Sequence, residues 1–178
     1  LPKTAGLRLG EAPGFIRTAF VRAFSYECQI NPQSRIIESE WIKLLSRWRA
    51  YLNICPDCKE ETYIEPKDYG KCKVCGQKRP ILWMQIDKKE YIPLVAGQTI
   101  YESQLGKEGF FTLVAKIVPA KDSSKVLGIR NLSEMDWCVT HGTQKVTVPP
   151  GKAFKLCENM SIKFSNIKEV KIRLVSPK

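Results

Sequence analysis

Apolar and polar residues recur with two different periods along the chain, and the change of period separates its parts. In GFIRTAFVRAFSYE, apolar residues recur every three to four positions, which predicts a helix over residues 14–25. The same period in ESEWIKLLSRWRAYLN predicts a helix over residues 39–53, after Asn31 and Pro32 break the first pattern. Two helices alone bury their apolar faces poorly, so this helical segment, residues 1–53, needs another packing partner.

From residue 81 onward the period changes to two, which is the period of a half-buried strand. Turns with Gly or Pro separate most of the short alternating runs, and the pair His141-Gly142 fits a tight hairpin turn. The runs are ILWMQI, YIPL, QTIYE, TLVAKIV, VLGIRN, DWCVT, QKVTV, FKL, SIKF and VKIRLV. So many short strands predict that residues 81–178 form a β-sandwich or a β-barrel.

A short polar stretch with two Cys-x-x-Cys pairs joins these two parts. Cys55 and Cys58 form the first pair, Cys72 and Cys75 form the second, and thirteen residues separate the pairs. This spacing predicts a four-cysteine zinc ribbon or knuckle over residues 54–80. Because four thiolates leave no open coordination position, the expected zinc ion is structural. Two redox-active pairs are the alternative, but they favour a thioredoxin-like βαβ context, which the sequence pattern lacks.

The charge of the expected ribbon distinguishes two roles for the metal. A nucleic-acid reader needs exposed basic and aromatic side chains on the hairpin between the cysteine pairs. The charged residues of that hairpin are Glu60, Glu61, Glu65 and Asp68 against Lys59, Lys67 and Lys71. A surface so close to neutral favours a structural clip over a nucleic-acid reader.

The charge and cysteine content of the whole chain narrow the expected partners and compartment. The formal net charge is +11 over 178 residues, with excesses of +4, +1 and +6 in residues 1–53, 54–80 and 81–178. Such a charge favours anionic partners, but its even spread indicates a basic surface rather than a dedicated polyanion site. The seven cysteines are an odd number, which argues against a secreted disulfide framework and favours a reducing cytoplasm. No apolar run is long enough to predict a transmembrane helix, so no membrane partner is expected.

The helical segment resembles the end of a protein-kinase catalytic domain. The residues that carry the resemblance are GFIRTAFVRAF, then NPQSR, then ESEWIKLLSRW. The resemblance implies that Arg35 is the buried arginine that pairs with the glutamate closing the activation segment, although that glutamate is not in this chain. Ile36 and Ile37 depart from the family, which usually has Pro and Thr after the arginine.

The rest of the chain resembles the continuation of bacterial serine/threonine kinase-like proteins. In that group the last helix of the catalytic domain runs into a cysteine-rich knuckle, as in RAYLNICPDCKEE and GKCKVCGQK here. The stretch VLGIRNLSEMDWCVTHGTQKVTVPPGKAFKLCENMSIKFSN then resembles the β-domain of the same proteins and a forkhead-associated (FHA) sandwich. The resemblance implies a C-terminal region of a serine/threonine protein kinase-like protein, and we interpret the chain as part of a longer protein.

The departures from these families limit what the chain itself is expected to do. The sequence has no Gly-rich phosphate loop, no Val-Ala-x-Lys, no His-Arg-Asp and no Asp-Phe-Gly, so no phosphoryl transfer is expected from this chain alone. FHA domains that capture phosphothreonine use a Ser-x-x-His pattern, but Ser133 is not followed by that histidine. Arg130 and Lys125 are the basic residues that remain to attract an acidic partner. The single histidine, His141, lacks a nucleophile motif and is interpreted as a turn residue.

The fold class predicted from the sequence is α+β: a short helical segment, a zinc ribbon or knuckle, and an all-β FHA-like sandwich. The expected function is a non-catalytic regulatory and protein-interaction region in which a structural zinc joins the helical and β units. The expected partner is a protein, either a phosphorylated one or the parent kinase domain. The alternative is a nucleic-acid-binding protein built from the ribbon and a small OB-like barrel.

Overall fold

The computed structural model describes residues 12–68, 70–88, 90–107, 109, 111–120, 123–165 and 169–175. The chain divides into two compact units, and the boundary between them falls between Arg49 and Ala50. The first unit is helical, whereas the second contains the cysteine pairs and all the described strands. The predicted α+β class is therefore confirmed, and the FHA-like identity of the β-region stays a prediction.

Three α-helices form the described part of the first unit and the entry to the second. Helix α1 spans Gly14–Ala23, α2 spans Tyr26–Ile30 and α3 spans Glu38–Tyr51. The predicted helix over residues 14–25 ends earlier because Ser25 caps a new helix, its hydroxyl accepting from the backbone N–H of Cys28 at 3.4 Å.

The helices of the first unit contact each other through α1 and α3. Ile16 and Ala19 of α1 are buried, and the ring of Phe20 meets that of Trp41 edge-on with 5.2 Å between the ring centroids. Phe24, at the end of the predicted apolar stripe, is instead exposed. An ion pair of 2.8 Å between Arg22 and Glu40 adds a polar contact at the surface.

The second unit begins with a small antiparallel hairpin and continues into two larger sheets. Strand β1, Leu52–Ile54, follows α3 without a break and pairs with β2, Glu61–Tyr63. All ten strands predicted after residue 80 are present, with ends shifted by at most three residues. They are β3 (Ile81–Asp87), β4 (Glu90–Leu94), β5 (Thr99–Tyr101), β6 (Leu113–Ala120), β7 (Ser123–Asn131), β8 (Trp137–His141), β9 (Gln144–Val148), β10 (Ala153–Lys155), β11 (Met160–Lys163) and β12 (Glu169–Val175).

The strands after the ribbon form two antiparallel sheets that share a buried apolar core. The four-stranded sheet has the order β10-β7-β6-β5, and the six-stranded sheet has the order β4-β3-β12-β11-β8-β9. Ile117 and Ile129 are fully buried on the first sheet, as are Met84, Ile162 and Ile172 on the second. Alternate residues of each strand enter this core because successive side chains of a strand point to opposite faces.

A buried asparagine connects the two sheets at one end of the core. Asn131 of β7 is fully buried, and its Nδ2 donates to the carbonyl oxygens of Met135 at 2.8 Å and Val148 at 3.0 Å. Its Oδ1 accepts from the backbone N–H of Ser133 at 2.9 Å and from the Ser133 hydroxyl at 2.8 Å. The side chain therefore links β7 of the four-stranded sheet to the loop that follows it and to β9 of the six-stranded sheet, and it satisfies backbone groups of that loop and of β9.

The end of α3 packs on the outer face of the six-stranded sheet, within the second unit. Tyr51 meets the fully buried ring of Trp83 edge-on, with 6.4 Å between the ring centroids. The side-chain amide of Gln98 donates to the carbonyl oxygen of Ala50. The backbone N–H of Ile64 donates to the carbonyl oxygen of Tyr51 at 3.1 Å, which attaches the ribbon to the same place.

Candidate metal centre

The first cysteine pair forms a tight turn that aims both sulfurs to one side. The backbone N–H of Cys55 donates to the carbonyl oxygen of Glu60 at 2.9 Å, and that of Lys59 donates to the carbonyl oxygen of Cys55 at 2.8 Å. Lys59, directly after the second cysteine, adopts the left-handed conformation with φ of 63°. This conformation reverses the chain so that β1 continues into β2.

The second cysteine pair forms a turn with the same two backbone hydrogen bonds as the first. The backbone N–H of Cys72 donates to the carbonyl oxygen of Gln77 at 2.8 Å, and that of Gly76 donates to the carbonyl oxygen of Cys72 at 3.0 Å. Gly76 occupies the left-handed position, with φ of 74°. A glycine adopts this conformation without steric cost, so the backbone of the second turn is unstrained at Gly76.

The two turns face each other and bring the four predicted ligands together. All four Sγ atoms lie within 4.8 Å of one another. The distance between Cys55 Sγ and Cys75 Sγ is 3.8 Å, and that between Cys58 Sγ and Cys72 Sγ is 3.9 Å. All four cysteines are free thiols, since these distances far exceed a disulfide bond of about 2.0 Å. The arrangement is compatible with one metal ion held by four sulfurs.

The site is enclosed on one side and open on the other. Cys55 and Cys72, the first cysteine of each turn, are buried, whereas Cys58 is half-buried and Cys75 is exposed. The sulfurs themselves occupy four positions around one centre. A tetrahedral ion held by all of them has no position left for a substrate or a reactive water.

Arg79 lies beside the sulfur cluster and was not singled out from the sequence. Its Nη2 donates to Cys55 Sγ at 3.4 Å and to a carboxylate oxygen of Asp57. Asp57 lies between the first two cysteines, so the arginine bridges the sulfur cluster and the tip of the first turn. Arg79 lies four residues after Cys75 and belongs to neither Cys-x-x-Cys pair, so the sequence does not indicate that it contacts the cluster. Only the folded structure identifies this contact.

The local charges act differently on the two thiols of the first turn. The pKa of the Cys55 thiol is lowered to about 6, chiefly because the backbone N–H of Cys58 donates to its sulfur, with Arg79 adding to the effect against burial. At Cys58 the backbone N–H of Glu60 lowers the pKa, but burial and the sulfurs of Cys55, Cys75 and Cys72 outweigh it and raise the pKa to about 11. The local environment of the first turn thus favours a thiolate at Cys55 over one at Cys58.

A second charged group braces the loop between the two turns. Lys73 Nζ lies 3.1 Å from Asp68 Oδ2, 3.6 Å from Glu65 Oε2 and 4.1 Å from the centre of the Tyr63 ring. Burial lowers the pKa of Lys73, but the hydrogen bond to Asp68 and its negative charge outweigh that effect and raise it overall. Asp68 Oδ2 also accepts from the backbone N–H of Glu65 at 2.8 Å. Glu65 and Asp68 therefore make contacts that stabilise the hairpin, whereas their sequence pattern indicated only a charge close to neutral.

Gly70 allows the chain to enter the second turn close to the strand that leaves it. Its φ is +75°, and a Cβ at this position would overlap the carbonyl oxygen of Arg79. The backbone N–H of Arg79 donates to the carbonyl oxygen of Gly70 at 3.2 Å. Only glycine combines this backbone conformation with so close an approach.

The other residues singled out from the sequence are not members of the four-cysteine cluster. Arg35 is exposed, and its guanidinium donates to the carbonyl oxygens of Cys28 at 3.0 Å and Gln29 at 3.4 Å. Arg130 is exposed on β7, and Lys125 lies in the same strand, although its side chain is outside the described residues. His141 ends β8 and is exposed, directly before the two-residue turn of the β8–β9 hairpin.

Comparison with family models and curated proteins assigns no family to this chain. No protein-family model matches the sequence, and a search of curated proteins finds no significant match. Among the described residues, the helices are too short or too polar to cross a membrane.

Proposed function

We propose that the four cysteines hold a structural zinc ion. A tetrahedral zinc with Zn–S bonds of about 2.3 Å requires sulfur–sulfur separations of about 3.8 Å. The two separations between the turns, 3.8 and 3.9 Å, match that value. Zinc is the usual ion for four thiolates at this spacing, and once bound it would stabilise the thiolate form of all four.

We further propose that this centre is a joint within a non-catalytic interaction region. The ribbon has few buried side chains of its own, and its hairpin is attached to Tyr51, whose ring packs on Trp83 of the six-stranded sheet. An ion that fixes both turns therefore also fixes the end of α3 on the sheet. The single observation that carries this proposal is the closed set of four sulfurs, which supplies cross-linking and no reactive position.

Replacement of one ligand tests the joint. We expect Cys58→Ser to lose the bound zinc, measured by elemental analysis of the purified chain, and to become sensitive to trypsin at the lysines between the cysteine pairs. Cys138→Ser is the matched control, because Cys138 is a half-buried cysteine in β8, outside the cluster. Unchanged zinc content and unchanged protease resistance in Cys58→Ser would refute the joint.

We also propose that the chain is the C-terminal region of a cytoplasmic serine/threonine kinase-like protein, with an FHA-like β-sandwich. The support is the resemblance of residues 14–53 to the last kinase helices, together with the observed order of helices, four-cysteine site and paired β-sheets. The resemblance implies a buried Arg35, whereas Arg35 is exposed in this chain, and its guanidinium donates to the carbonyl oxygens of Cys28 and Gln29.

The size of the native protein tests the kinase assignment separately from the zinc site. An antibody against this chain should detect a native species well above 20.3 kDa in its own cells, and that species should be assayed for phosphoryl transfer. A native species close to 20.3 kDa would refute the kinase assignment and leave the zinc proposal standing.

A further inference from the structure

One row of side chains crosses the outer face of the six-stranded sheet from edge to edge. Its members are register partners on consecutive strands, so each lies beside the next at the usual strand spacing of about 4.8 Å. From β9 to β4 they are Lys145, Thr140, Ser161, Lys171, Gln85 and Tyr91. Every one of them can donate a hydrogen bond through its side chain, and none is aliphatic.

Further cations flank this row on the same face. Arg173 lies two residues beyond Lys171 on β12, and Lys163 lies two residues beyond Ser161 on β11. Lys145, Lys163, Lys171 and Arg173 are all exposed, and none of the four forms an ion pair with any described residue. The face therefore carries four exposed positive charges, and we call it the basic face.

The basic face is the open half of a sheet surface whose other half is covered. Trp83 and Pro93 lie on the same outer side, but both are buried, and Tyr51 packs on the Trp83 ring. The Tyr51 ring therefore covers this face at Trp83, whereas the basic residues of the same face are exposed. A partner bound there would lie beside the element that the metal centre holds in place.

The arrangement of charges on this face distinguishes two kinds of anionic partner. Glu169 lies opposite Lys163 on β12, and Glu90 is exposed on the edge strand β4. A nucleic acid carries one negative charge per nucleotide, so a strand crossing the sheet would meet these carboxylates as well as the lysines. The row contains one aromatic residue, Tyr91, whereas single-strand readers stack successive bases on several aromatic rings. An acidic peptide can place its carboxylates selectively, so it fits the pattern better.

We propose that the basic face binds an acidic segment of a partner protein. The lysines and Arg173 supply the charge complementarity, and the hydroxyl and amide groups of Thr140, Ser161 and Gln85 supply hydrogen-bond donors between them. This inference rests on the proposed function as an interaction region and names the chemistry of its partner. It places the contact on the six-stranded sheet rather than at Arg130, which lies on the four-stranded sheet.

Two charge-reversal variants of the whole chain test the proposal. The first, Lys145→Glu with Lys171→Glu and Arg173→Glu, changes the basic face. The matched control, Lys116→Glu with Arg130→Glu and Lys155→Glu, makes the same change of net charge at exposed positions of the four-stranded sheet. The probes are a fluorescein-labelled peptide of alternating Glu and Ser and a labelled oligothymidylate of the same formal charge, followed by fluorescence anisotropy.

We expect the basic-face variant to raise the Kd for the acidic peptide at least about tenfold, and the control to raise it less than about threefold. Equal weakening by both variants, no peptide binding by the unmodified chain, or tighter binding of the oligothymidylate at this face would overturn the proposal. Zinc content and trypsin resistance are measured on the same preparations. A chain that keeps its zinc-dependent protease resistance but binds no peptide would refute the basic face alone and leave the joint intact.

Discussion

Arg79 contacts both a cysteine of the cluster and the tip of the first turn. Its guanidinium donates to both Cys55 Sγ and Asp57, and the acidic neighbour and the sulfur raise its own pKa against the effect of burial. Four thiolates around a divalent ion leave a net negative charge, which a neighbouring cation stabilises. Residues that hydrogen-bond to metal ligands orient those ligands and reinforce metal binding.

We expect Arg79→Ala to bind zinc about tenfold more weakly. The substitution removes the cation that contacts both the negatively charged metal centre and the Asp57 carboxylate. Competition with a chromophoric zinc chelator measures the affinity, and Arg79→Lys should retain part of it because the charge is kept. Arg130→Ala removes an exposed arginine from another sheet and serves as the control. Equal affinity in Arg79→Ala and Arg130→Ala would exclude a role for Arg79 at the centre.

At the scale of elements, the strands and the clustering of the four cysteines were predictable, whereas the connections between elements were not. Alternation with period two identifies strands such as β9, which was predicted at residues 144–148 and occupies them. The five-residue helix α2 is too short to show a helical period, and only the cap at Ser25 marks its start. The predicted second helix extended to residue 53, but pairing of Leu52 with Tyr63 turns the chain into β1 directly after Tyr51. Such tertiary pairings overrule local propensity.

Among the contacts between secondary-structure elements, we expect those of the Asn131 side chain to contribute most to stability. Replacement by Ala would remove the Asn131 donor from the buried carbonyl oxygen of Val148 and one of the two side-chain donors to the carbonyl oxygen of Met135, and would open a small cavity between β7 and β9. We expect the free energy of unfolding to fall by about 2–4 kcal/mol, measured by urea denaturation of the zinc-loaded chain.

Ser133→Ala provides the comparison for this substitution. It removes a hydroxyl that bonds Asn131 Oδ1 at 2.8 Å and accepts from Trp137 Nε1 at 3.0 Å, in a less buried position. The loss should be smaller, about 1 kcal/mol. If Asn131→Ala were no more destabilising than Ser133→Ala, the asparagine would not be the link between the sheets.

At the scale of the whole molecule, the two parts of the second unit differ in what stabilises them. The two larger sheets share an apolar core that includes fully buried residues from both, such as Ile129 and Ile162. The ribbon buries few side chains, chiefly Ile64 and the two cysteines Cys55 and Cys72. With the proposed zinc bound, the stability of the chain divides into a part that depends on burial and a part that depends on cross-linking by the metal.

This division predicts how the molecule responds when the metal is removed. After chelation we expect amide hydrogens of residues 52–80 to exchange rapidly, because their turns lose the ion that holds them. The strands β6 to β8 should stay protected by their own core. Hydrogen-exchange mass spectrometry of the zinc-loaded and chelator-treated chain separates these regions, and Cys138→Ser treated in the same way controls for thiol chemistry outside the cluster.

Tyr51 packs on Trp83 at the point where the ribbon is attached, so peptides covering the start of β3 should show an intermediate loss of protection. Uniform loss of protection in both regions would instead mean that the metal stabilises the sheets as well, and the ribbon would then be part of their core rather than a joint beside it.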